Sequence, residues 1–202
     1  DLRPRVETKT LAAEVLYDAQ DPFTRKVVID RGSSQGVVLG SPVLDDKGVL
    51  GQVTRVYPLT AEVTLVTDKD AAVPVLNARS QHRGVAYGAP QAHAMELRFM
   101  ASNADVQVGD LLKTSGLDGV YPAGMPVAKV VAVDRRADSA FARVSLKPAA
   151  QPDRPRHVLL LQPQSYDLPE RPEGAASGAS SAPELGVKKN KAHGVAAKGS
   201  QP

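Results

Sequence analysis

Val43-Leu44-Asp45-Asp46-Lys47-Gly48-Val49-Leu50-Gly51-Gln52-Val53-Thr54-Arg55-Val56 reads as a β-hairpin. Two apolar runs flank a polar four-residue turn, in which Gly48 is free to take a positive φ. The pattern repeats outward from this hairpin. Turn punctuation recurs at Arg31-Gly32, Gln35-Gly36, Arg83-Gly84, Gly88-Ala89-Pro90, Gly109-Asp110, Asp118-Gly119 and Pro122-Ala123-Gly124. Between these lie short runs at 12–17, 26–30, 62–67, 73–75, 95–99, 111–114, 125–134, 141–146 and 156–161. The aliphatic content is 26 Val, 19 Leu and one Ile. Branching at Cβ suits a pleated surface better than a helix. No long window carries helical periodicity, and the helical turns expected are short ones near 33–35 or 68–71. The chain is therefore expected to be all-β, a sandwich or barrels. Pro74 demotes its run to an edge strand or a bulge, an edge that would suit β-addition by a second copy.

A weak internal echo suggests two units. Gly36-Val37-Val38-Leu39-Gly40-Ser41-Pro42-Val43 and Gly119-Val120-Tyr121-Pro122-Ala123-Gly124-Met125-Pro126-Val127 both end in Gly-x-Pro-Val and both lead into Val-rich strands. Beyond Gln162 the composition turns to Gly, Ala, Ser, Pro and charge. Such a segment cannot bury enough apolar surface to offset chain ordering, so 163–202 is expected to be a disordered tail.

Composition excludes several classes. With 202 residues the chain makes one large domain or two small ones. It carries 25 Lys+Arg against 22 Asp+Glu and only eight aromatic residues, which is no nucleic-acid footprint. Without Cys there is no disulfide framework, thiolate metal site or cysteine nucleophile. No apolar run approaches the ~18–20 residues of a membrane span. The opening Asp1-Leu2-Arg3-Pro4 is no signal peptide, and the sequence reads as a piece of something longer, with room for a signal or an anchor before Asp1.

Catalytic patterns are not legible. His82, His93, His157 and His193 lack metal-ligand spacing, and neither a metal nor a cofactor is expected. The sharpest enzyme alternative is a serine protease on a double β-barrel, with Ser115 as nucleophile and His82 as base. Lys113-Thr114-Ser115-Gly116-Leu117 does not supply the loop such enzymes use, and Ser115 suits a turn amide better. Gly32, Gly36 and Gly40 precede a strand, not a helix, so they make no dinucleotide loop. Together with Gly48, Gly51, Gly109, Asp110, Ser115, Gly116 and Gly124 they are expected to shape turns.

Val27-Val28-Ile29-Asp30-Arg31-Gly32-Ser33-Ser34-Gln35-Gly36-Val37 resembles the opening motif of the MreC family of rod shape-determining proteins. Gly40-Ser41-Pro42-Val43, Gly48-Val49-Leu50-Gly51-Gln52-Val53 and Val63-Thr64-Leu65-Val66-Thr67-Asp68 fit the same family. So do Val108-Gly109-Asp110, Thr114-Ser115-Gly116-Leu117 and Gly119-Val120-Tyr121-Pro122-Ala123-Gly124-Met125-Pro126-Val127, and Arg156-His157-Val158-Leu159-Leu160-Leu161 is similar to its closing strand. One departure is Ala128, where the family usually has Gly. The resemblance covers roughly 11–162.

The resemblance implies two six-stranded β-barrels related in shape to chymotrypsin-like proteases but without the triad. They are expected at 11–76 and 77–162, after a linker at 1–10, with the last strand belonging to either barrel. It implies a non-enzymatic periplasmic scaffold of cell elongation, held at the inner membrane only through an N-terminal anchor missing from this sequence. The implied partners are a second copy (dimer or filament), a class B penicillin-binding transpeptidase, MreD, and the MreB system across the membrane. The alternative is a periplasmic adaptor of an envelope transport system, whose modules also place a V-x-x-G-D turn before a strand. For protein binding, Tyr121, Pro122 and Met125 form an apolar turn, and Tyr87 and Phe99 are further candidates.

Overall fold

A computed structural model describes residues 9–19, 23–89, 94–135, 139–153 and 155–162. The expected tail, His93 and His193 lie outside the described residues. Twelve strands follow one another: β1 (Thr10–Asp18), β2 (Lys26–Ile29), β3 (Pro42–Leu44), β4 (Val49–Val56), β5 (Ala61–Leu65), β6 (Ala72–Asn77), β7 (Arg83–Gly88), β8 (Met95–Ala101), β9 (Leu111–Thr114), β10 (Pro126–Asp134), β11 (Phe141–Pro148) and β12 (His157–Leu161). A 3-10 turn, Ser33–Gln35, lies between β2 and β3. All pairings are antiparallel and close two barrels, β1-β12-β3-β4-β5-β2 and β10-β11-β8-β7-β6-β9.

The expected boundary at 76/77 falls at the end of β6, a strand paired with β7 and β9 in the second barrel. Strand β12 lies between β1 and β3 in the first. Read with β12 ahead of β1, the first barrel has the same strand order as the second: β12, β1, β2, β3, β4, β5 correspond to β6 through β11. The structural repeat is thus a circular one. The sequence echo does not mark it, because Gly36–Val43 leads into β3 whereas Gly119–Val127 leads into β10, the counterpart of β4.

Each barrel has its own core. Val27, Ile29, Val43, Leu50, Val53, Val63 and Leu160 fill the first; Val73, Val75, Met95, Leu97, Leu112, Val144 and Leu146 fill the second. The hairpin between β3 and β4 joins them, with Val49 buried in the second core and Leu44 packed against it. Gln151 N–H donates to Asp45 Oδ2 across the same junction at 2.6 Å. Gly48 does not have the positive φ its turn suggested. A Cβ there would lie 2.4 Å from the carbonyl oxygen of Pro126, so the glycine is needed where the barrels touch. Gly32 and Gly51 are likewise pressed against backbone, of Tyr57–Pro58 and Thr64.

Strand β6 is no edge: closure gives it neighbours on both sides, which removes the β-addition site expected at Pro74. The strand the sequence concealed is β7, Arg83-Gly84-Val85-Ala86-Tyr87-Gly88. Its two glycines read as turn punctuation. Gly84 instead lets Leu97 and Met100 pack over the strand, and Gly88 lies where a Cβ would meet the Asp68 carbonyl oxygen.

Gly36 and Gly40 have φ of +85° and +84°, with no atom closer than 3.6 Å to a Cβ built at either. A side chain there meets strain and not a clash. Gly36→Val and Gly40→Val will each lower stability by about 1–3 kcal/mol, read by urea denaturation. Gly109, Gly116 and Gly124 are also at positive φ.

Candidate functional site

The outer face of β8 carries a bulge. Leu97 pairs with Val144 and Met100 with Ala142, so Arg98 and Phe99 together oppose Arg143. The extra residue reverses the alternation: Met95, Leu97 and Met100 point inward, and Phe99 is turned out to 75% exposure. Its φ is +58°, a left-handed conformation that a bulky L-residue rarely takes. Phe141, 54% exposed, meets it edge to face at a centroid distance of 6.3 Å.

These rings border an open groove of about 430 Å³, whose lining includes Glu96, Arg98, Asp134 and Arg143. Arg98 is held in place twice. Its Nε donates to Glu96 Oε1 at 2.5 Å, and its guanidinium lies 4.7 Å from the ring centroid of half-buried Tyr87. The result is an exposed aromatic pair set in a fixed rim of both charges, an arrangement suited to binding a protein surface.

The structure brings Phe99 and Tyr87 together on this face and separates them from the other candidates. Tyr121 is 5% exposed and belongs to the second core, and burial pushes its phenol pKa up. Met125 is half-buried against the same core. Thr114 ties this turn down: its Oγ1 donates to the Pro122 carbonyl and accepts Met125 N–H. Tyr121 and Met125 therefore pack into or against the second core, Pro122 beside them is partly buried, and the three form no exposed apolar turn. Phe141 was missed although its phase reveals it. It shares the outward phase of β11 with Arg143, Ser145 and Lys147, opposite Ala142, Val144 and Leu146.

Ser115 Oγ accepts the Leu117 amide at 3.4 Å, and His82 is exposed beyond β6. His157 Nδ1 lies 3.7 Å from Glu14 Oε1, with both side chains exposed. Among the described residues no group of three or more His, Cys, Asp or Glu is placed to hold a metal ion.

Asp110 does more than shape a turn. Its buried carboxylate accepts from Asn77 Nδ2 at 2.7 Å, Arg79 Nε at 2.7 Å and Gln107 N–H at 2.9 Å. Arg79 also reaches Asp105. The Arg79 guanidinium, helped by the Asn77 amide, holds the Asp110 carboxyl well below the usual carboxylate range despite its burial. The folded-state pKa is depressed, so this stabilisation is full above the unfolded value of about 4 and fades as pH falls toward the folded one. Asp110→Asn will lower stability at neutral pH by about 1–3 kcal/mol and lose less on acidification than the wild type, read by denaturant melts at both pH values.

The family model described as "Rod shape-determining protein MreC, barrel core" matches residues 15–162. The chain belongs to the MreC family. Cell shape-determining protein MreC of Escherichia coli K12 is 39% identical over 157 residues, covering 78% of this chain and 43% of that protein. The chain thus spans less than half the length of the curated MreC proteins of Escherichia coli and Haemophilus influenzae that it matches. The crystal structure of MreC from Pseudomonas aeruginosa superposes with a TM-score of 0.72 at 43% identity, over 75% of this chain and 98% of that one. An MreC chain solved in a complex between penicillin-binding protein PBP2 and MreC from Helicobacter pylori shares the fold at 17% identity, with a TM-score of 0.62 over 77% of this chain and 99% of that one. Membership sets aside the transport-adaptor reading. Among the described residues no helix is long and apolar enough to cross a membrane.

Proposed function

We propose that this chain is the barrel region of a periplasmic, non-enzymatic scaffold of the cell-elongation machinery, and that the Phe99–Phe141 groove docks a class B penicillin-binding transpeptidase. The observation that carries the site is the outward-turned Phe99. A bulky aromatic held in an unfavourable backbone conformation and exposed to water serves no purpose in the core. The complex of the Helicobacter pylori relative with PBP2 supports the class of partner. In this reading the scaffold self-associates at the inner membrane and works with MreD and the MreB system, organising peptidoglycan synthesis enzymes to maintain rod shape.

The test is a titration of the chain with the periplasmic part of its own organism's class B transpeptidase. Saturable binding that survives moderate salt is expected, because the groove's contribution is largely apolar. No binding at any accessible concentration would overturn the reading.

A further inference from the structure

In the second barrel, strands β9, β10 and β11 place three lysines together. Lys129 stands directly opposite Lys147, and Leu111, the other cross-strand neighbour of Lys129, is two residues from Lys113. Directly opposed residues have Cβ atoms about 5 Å apart and diagonal ones about 7–8 Å, so three ammonium groups share one small area. All three side chains are exposed, and among the described residues none has a carboxylate partner. Like charges facing each other across strands cost stability.

Three exposed aliphatic side chains accompany them. Leu111 pairs with Lys129, Val131 is the extra residue of a bulge in β10, and Val108 precedes Gly109, whose N–H donates to Val130 O. The face has neither arginine forks nor a pocket to read a shaped acidic ligand. Flexible point charges interleaved with aliphatic side chains match a surface of anionic headgroups over hydrocarbon.

We propose that the Lys113–Lys129–Lys147 face binds the surface of a bilayer rich in anionic phospholipid, with Val108, Leu111 and Val131 entering its interfacial layer. The inference does not depend on the transpeptidase reading, since none of these six residues lines the Phe99–Phe141 groove. The experiment is co-sedimentation of the chain with vesicles of phosphatidylethanolamine and phosphatidylglycerol, and with vesicles of phosphatidylcholine alone. Binding to the anionic vesicles that falls steeply with salt is expected, with little to the zwitterionic ones. Each Lys→Gln change is expected to weaken it about fivefold, and the triple variant about a hundredfold. The triple variant should melt no lower than the wild type, because it removes the Lys129–Lys147 repulsion. Equal binding to both vesicle types, or wild-type binding by the folded triple variant, would overturn the proposal. So would tighter binding to polyglutamate than to the anionic vesicles, which would make an acidic polypeptide the occupant.

Discussion

Tyr121→Asp will unfold the second barrel and not merely blunt an interface. The side chain lies in the core with Val120 and Met125 packed beside it. A carboxylate there is buried among apolar side chains and replaces a large ring with a cavity. Burying an unpaired charge and losing core packing each cost several kcal/mol, so the combined loss exceeds about 4 kcal/mol. Thermal melting will show it as a drop of about 10 °C or more, or as no cooperative transition at all. Tyr121→Phe, which keeps the ring, should remain folded. A stable, cooperatively melting Tyr121→Asp variant would mean that the turn is exposed after all.

Phe99 should behave in the opposite way. It is exposed, so Phe99→Asp removes no core packing, and the melting temperature should stay close to that of the wild type. Binding of the transpeptidase should fall at least thirtyfold, the loss of about 2 kcal/mol that marks a central aromatic anchor. Phe99→Gly sharpens the contrast. Glycine adopts a φ of +58° without strain, so this variant should be more stable than the wild type by about 0.5–1 kcal/mol while binding as poorly as Phe99→Asp. Stability gained together with binding lost is what strain held for function predicts. Phe141→Asp should weaken binding with little change in melting.

The contrast between these two aromatics shows what the sequence carries. Strand identity was legible wherever β-branched residues dominate, as in Val49–Val56, and the short turn at Ser33–Gln35 was legible from its polar residues and flanking glycines. Strand β7 was not, because its glycines serve close packing and not turning, and that need arises only once Leu97, Met100 and Asp68 are in place. The exposure of the binding candidates was only partly legible for a related reason. Strict alternation from Met95 and Leu97 puts Phe99 inside, and a one-residue bulge, invisible without the partner strand, puts it outside. Tyr121 sits in a Pro- and Gly-rich turn that reads as exposed, yet Thr114 ties that turn down. Phe141 shows the converse: its outward phase was available from Arg143, Ser145 and Lys147. The buried network around Asp110 depends on β6 pairing with β9, which sets Asn77 beside the segment before β9, a long-range fact that local sequence does not encode.

The most direct test of the central claim is site-specific photo-crosslinking in living cells of the source organism. A photoreactive phenylalanine analogue is placed at position 99 of the full-length protein, and in a second strain at position 59, where Leu59 is exposed on the first barrel. The account predicts a crosslink to the class B transpeptidase from position 99 and none from position 59, with both proteins present at wild-type level. A transpeptidase crosslink from position 59 and none from position 99 would contradict it.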